Sequence, residues 1–149
     1  MSEIKIEFNY QWEPAVRDEN GNNYFFPEEI TPFMRQKYRH PAIYRWNIFS
    51  ESLKDEKFYI GEAQDLCQRI NGYLNPGPSQ QTNKRINKKF HEYIENGFKI
   101  RLEILRFEKI RINDFVITEN DLSHKHNRRF IEELMVIIYE QKGFQLLNL

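Results

Sequence analysis

Tyr44, Tyr59, Arg69 and Tyr73 have the side-chain types and the spacing for work on a phosphate group. Tyr44 lies in the apolar run AIYRWNIF (residues 42–49) and Tyr59 in FYIG (58–61), while Arg69 and Tyr73 stand four apart in the segment that follows. A guanidinium makes paired, charge-assisted hydrogen bonds to phosphate oxygens. A phenol can orient a water, or deprotonate it when adjacent cations lower the phenol's pKa. The two runs, paired as antiparallel strands, would bring both phenols to one sheet surface, and a helix over 63–73 puts Arg69 and Tyr73 on one face. Singly, each residue is ordinary, because strand tyrosines cover cores and helix arginines face water. Jointly they outline a reasonable phosphate site.

The elements that must hold these residues follow from periodicity. Residues 3–10, EIKIEFNY, alternate apolar and polar and predict a half-buried strand, with a second short strand around Tyr24–Phe26 and a short helix after Thr31-Pro32. Residues 42–49 and FYIG predict a hairpin across the polar stretch SESLKDEK, with Gly61 as the turn glycine before a helix. Ala63, Leu66, Cys67, Ile70 and Leu74 recur at spacings of three and four, so that helix runs from Ala63 to Tyr73 and stops at NPGPSQQ. Thr82 or Asn83 caps a second helix reaching Asn96, with Ile86 and Phe90 inward and Lys84, Arg85, Lys88 and Lys89 outward. Phe98–Phe107 alternates as a strand, and Thr118 or Asn120 caps a long helix carrying Phe130, Leu134, Ile137 and Ile138 to Gly143, before the tail FQLLNL. The order is a β preface, then β-β-α-α-β-α, which predicts an α+β fold: a small central antiparallel sheet flanked by helices. We expect one domain over 1–149, with residues 1–41 an N-terminal β extension and 42–149 the core.

Composition sets the limits. A chain of 149 residues, 40% hydrophobic and 15% aromatic, can bury a core without disulfide or metal staples. Cys67 is the single cysteine, which excludes an intramolecular disulfide and a thiolate zinc cluster. The longest apolar run, LMVIIY, is far too short to span a bilayer, and the start MSEIKIEF has no signal-like core, so a cytoplasmic protein with no membrane partner is expected. Net charge is zero, yet residues 84–129 hold twelve Lys or Arg against seven Asp or Glu, a basic middle able to seat phosphates. His91, His124 and His126 lack a metal-binding spacing, and Trp12 and Trp46 read as packing residues rather than base-stacking ones.

AIYRW followed by FYIGEAQDLCQRINGY resembles the signature of the GIY-YIG nuclease family, and the resemblance extends from about Ala42 to Asn148. It implies a GIY-YIG-like catalytic core. It also implies a metal-dependent endonuclease acting on DNA, with Mg²⁺ or Mn²⁺ held by one glutamate of the last helix and a terminal asparagine nearby. Here those are Glu132 or Glu133, and Asn148. The family spacing to following apolar residues suits Glu133 better, without deciding between the two. The implied roles are water activation by Tyr44 with Tyr59, a phosphate clamp by Arg69, orientation by Tyr73, metal binding by Glu133 and bracing of the glutamate or the first tyrosine by Asn148. Lys57 is a candidate for lowering a phenol's pKa, and with Lys84, Arg85, Lys88 and Lys89 for contacting nucleic acid. Ala42, Ala63 and Asp65 depart from the common pattern, where Gly, Thr and Asn are usual, and Tyr73 replaces a frequent His. Residues 1–41 and the loop Asn75–Gln81 are available for target recognition, and a homodimer would let so small a protein cut both strands. A non-catalytic nucleic-acid-binding or protein-interaction module on the same fold, and an RNA-directed nuclease, are the alternatives.

Overall fold

The structure, a computed structural model, describes residues 1–148. In chain order its elements are β1 (Ile6–Pro14), α1 (Pro32–Lys37), β2 (Ala42–Phe49), β3 (Glu56–Ala63), α2 (Leu66–Leu74), α3 (Gln81–Glu95), β4 (Lys99–Ile112), β5 (Phe115–Ile117), α4 (Lys125–Gln141) and β6 (Gln145–Leu146), with a 3₁₀ turn at Glu119–Ser123. This is an α+β fold. The strands lie in the order β1-β4-β2-β3-β6, with β5 beside the far end of β4. Every pairing is antiparallel except that of β3 with β6, which is parallel.

β2 and β3 form the expected hairpin, with Tyr44 opposite Gly61 and Trp46 opposite Tyr59. Gly61 is therefore an interior residue of β3, not a turn glycine; the hairpin reverses within the expected stretch, through residues 50–55, and the chain leaves β3 for α2 at Gln64 and Asp65. Asp65 caps α2 by accepting a hydrogen bond from the Gln68 backbone N–H at 3.1 Å, which leaves Ala63 in the strand. The β4 strand continues past the expected Phe107 to Ile112. Its alternation breaks at Glu108 and Lys109 because the register with β1 shifts between Phe8 and Tyr10. Tyr24–Phe26 does not make a second strand; it meets its neighbours only through single bridges, Val16 to Asn23 and Phe25 to Arg101. Thr118 caps the 3₁₀ turn, in a reciprocal box with Asp121, rather than α4, and α3 begins at Gln81, ahead of Thr82 and Asn83.

Helices cover both sheet faces. On one side Trp46 is fully buried among Tyr24, Phe26, Tyr73 and Phe90, with Met34, Ile70 and Leu102 completing the layer. The N-terminal extension thus supplies core side chains as well as the edge strand β1. On the other side α4 lays Ile131, Met135 and Tyr139 over Ile43, Phe58, Ile60 and Leu105. No helix among the described residues is long and apolar enough to cross a membrane.

The second layer also buries charge. Arg45 lies with its guanidinium 4.5 Å from the Trp12 ring centre and 4.4 Å from that of Phe58; its Nε donates to Glu103 at 2.6 Å and its Nη1 to the Tyr139 hydroxyl at 2.8 Å. Glu103 accepts a further pair of bonds from Arg101. Breaking such a pair from one side strands the other charge. Arg45→Ala is expected to cost about 3 kcal/mol in urea unfolding, the low end for a buried pair because Arg101 still reaches Glu103, and Arg45→Met with Glu103→Leu to recover most of that.

Candidate active site

Tyr44 and Tyr73 come from different elements and meet in the interior. Their hydroxyl oxygens are 2.7 Å apart, and both side chains are 1% exposed. The Tyr44 ring reaches this position by crossing the backbone of Gly61. A Cβ at position 61 would lie 2.5 Å from Tyr44 Cζ and closer still to its hydroxyl oxygen. Gly61 has no positive φ; glycine is required here for close approach of a ring, not for backbone freedom. Tyr59, half-buried, packs edge-on against Tyr73 with ring centres 6.1 Å apart.

Arg69, from the same helix face as Tyr73, places positive charge near both phenols and near the carboxyl of Glu132. Burial nevertheless holds the Tyr44 phenol well above its ordinary range, and Arg69 and the Tyr73 hydroxyl only oppose this in part. Burial also holds Tyr73 well above that range. The expected lowering of a phenol pKa is thus reversed, because desolvation of the charged form outweighs one neighbouring cation. Lys57 takes no part: its ammonium pairs with Asp55 at 2.7 Å and lies over the rings of Tyr93 and Phe98.

Of the two glutamates, Glu132 faces this cluster and Glu133 is exposed to solvent. Burial, then the carboxylates of Glu62 and Glu133, push the Glu132 carboxyl up to about 7, against Arg69 and the Glu62 backbone N–H. Glu62 is itself held by Arg128, whose Nε donates to Oε2 at 2.6 Å and whose Nη1 donates to the carbonyls of Leu122 and Ser123. Arg128 is 5% exposed. Neither Glu62 nor Arg128 was singled out by the sequence reading; the signal for Arg128 was its place one helical turn before Glu132.

Asn148 clamps the edge of β3 and does not brace the glutamate or the first tyrosine. Its Oδ1 accepts from Ile60 N at 2.9 Å and its Nδ2 donates to Ile60 O at 2.6 Å, one residue from Gly61. Lys84, Arg85, Lys88 and Lys89 are exposed along α3. They lie outside the tyrosine cluster.

No family model, curated protein or solved structure matches this chain.

Among the described residues no group of three or more His, Cys, Asp or Glu side chains is arranged to hold a metal ion. Glu132, with Glu62 beside it, offers one or two carboxylates, the number a hard cation that keeps most of its waters would need; burial first, and the neighbouring carboxylates second, push the Glu132 carboxyl up to about 7.

Two expectations follow. Gly61→Ala is expected to displace the Tyr44 ring and destabilise the fold by about 1–3 kcal/mol, measured by chemical denaturation. Glu132 takes up its proton more readily in the folded chain, at about 7, than at the unperturbed 4.5. Its ionisation therefore opposes folding, and stability falls as pH rises through that interval. Glu132→Gln is expected to raise Tm near pH 8, and the gain should vanish as the pH approaches 4.5.

Proposed function

We propose that the protein is a metal-dependent endonuclease that hydrolyses phosphodiester bonds in DNA, as its resemblance to the GIY-YIG family implies. The observation that carries this reading is the convergence of Tyr44, Tyr59 and Tyr73 with Arg69, and with Glu132 across the edge of β3. A cluster of three phenols, one guanidinium and one carboxyl with a near-neutral pKa has the parts that phosphoryl chemistry needs.

Arg69 binds the scissile phosphate and neutralises charge on its non-bridging oxygens. Tyr44 and Tyr73 act as a neutral pair: one hydroxyl donates to the other, which leaves a proton free to point at a water or a phosphate oxygen. Tyr59, the most accessible of the three, orients the incoming strand. Glu132 holds the divalent ion, Mg²⁺ or Mn²⁺, with Glu62 fixed beside it by Arg128. When bound, that ion would supply positive charge against the leaving oxygen. Exposed Lys84, Arg85, Lys88 and Lys89 attract the polyanion to the same side as α2 and α3.

The test is cleavage of supercoiled plasmid, linear duplex, single-stranded DNA and RNA at low salt, with Mg²⁺, Mn²⁺ or EDTA. Arg69→Ala and Glu132→Gln are each expected to lower the metal-dependent rate about 10²–10³-fold, and Glu133→Gln to leave it little changed. Loss in Glu133→Gln with retention in Glu132→Gln would move the metal to Glu133. Binding of duplex without cleavage of any substrate would make the protein a binding module. Independently of turnover, Mg²⁺ is expected to raise Tm of the wild type near pH 8, where Glu132 is ionised, and not that of Glu132→Gln.

A further inference from the structure

Arg69 has a second environment. Besides the tyrosine cluster it borders a cleft of about 370 Å³ between the start of α2 and the start of α3, floored by Gly72 and walled by Gln64, Gln68 and Asn83. Gln80 and Asp65 complete it. A cleft of this size suits a compact, drug-sized ligand such as a nucleoside.

Its lining decides what kind of ligand. Arg69 is the one cation in the wall, and Asp65 is an anion whose carboxylate also caps α2. A phosphate pocket would gather cations or free backbone N–H groups. This one gathers side-chain amides, each carrying a donor and an acceptor in a plane, the pattern that pairs with the edge of a nucleobase. Part of that inventory is spent internally. Gln80 Oε1 accepts from Gly77 N at 2.9 Å and from Asn83 Nδ2 at 3.2 Å, which orders the loop after α2 and leaves Asn83 Oδ1 and Gln80 Nε2 for a ligand. The side-chain amides of Gln64 and Gln68, both exposed to solvent at the rim of the cleft, make no hydrogen bond among the described residues. Gly72 keeps the floor open: a Cβ there would lie 3.0 Å from Asn83 Nδ2.

We propose that this cleft is a nucleobase subsite, which takes the base attached to the phosphate held by Arg69 and reads its hydrogen-bonding edge with Gln64, Gln68 and Asn83. The assignment rests on the phosphodiester reading of the Arg69 site and extends it to sequence preference. One guanidinium then serves two tasks, gripping the phosphate on its tyrosine side and setting the distance to the base on the other.

The test does not need turnover. The full chain, labelled with ¹⁵N and kept in EDTA, is titrated with dAMP, dGMP, dCMP and TMP, and separately with deoxyribose 5-phosphate and inorganic phosphate, following the side-chain amide signals. At least one nucleotide is expected to shift the Gln64, Gln68 and Asn83 amides as well as the Arg69 Nε–H, while the two base-free phosphates shift Arg69 alone. Gln68→Ala and Asn83→Ala, made separately, should each weaken that nucleotide about tenfold without weakening deoxyribose 5-phosphate. Equal shifts from nucleotides and base-free phosphates, or no amide shift from any nucleotide, would overturn the subsite. Amide shifts in a protein that cleaves no nucleic acid would keep the subsite and remove the nuclease reading, so the two failures are told apart.

Discussion

Where β2 and β3 run side by side, the Tyr44 ring fills the volume that any side chain at position 61 would need. That contact lets a phenol from β2 cross its neighbouring strand and meet the Tyr73 hydroxyl at 2.7 Å. It also links three elements at one point, because Tyr73 belongs to α2 and packs in turn on Trp46 and Phe90. The aromatic layer, the position of Arg69 and the route from the sheet to the first helices all depend on a ring having room to pass over bare backbone.

The tyrosine cluster and Glu132 meet across a sheet edge, which explains how residues from opposite faces come together. Tyr44 and Tyr59 belong to the layer under α2 and α3, whereas Glu132 and Arg128 come from α4 on the other side. β3 has only the short β6 outside it, paired at Lys57 and Phe58, and beyond that the Asn148 amide on Ile60. Past Ile60 the edge lies close enough to Glu132 for both Glu62, from β3, and Arg69, from α2, to act on its carboxyl. Burial first, and the opposed charges second, then set the affinity of this half-buried carboxyl for protons.

Much of this was legible in the sequence, and the parts that were not have definite causes. The strands around Tyr44 and Tyr59 followed from their β-forming residues, although both faces of the hairpin are buried, and the helix bearing Arg69 followed from apolar spacings of three and four. Gly61 was recognised as necessary for the wrong reason: a glycine after a strand run looks like a turn, and only the partner strand reveals that a ring crosses it. The choice between Glu132 and Glu133 stayed open because both flank the apolar stripe of α4, and their difference depends on Glu62 and Arg69, distant in sequence. The end of β4 was missed because a bulge breaks alternation. Arg45, Glu103 and Arg128 resemble surface residues in any one-dimensional pattern; their burial depends on partners from other elements.

The parallel pairing of β6 with β3 has a consequence for how the chain matures. Residues 145–148 are laid against a strand made some ninety positions earlier, so during synthesis β3 waits with unpaired backbone groups beside the tyrosines. Until this segment folds back, Ile60 and its neighbours can accept another extended chain in its place. An open β3 edge is a place where misassembly competes with completion of the sheet, and the segment 145–148 is what closes it.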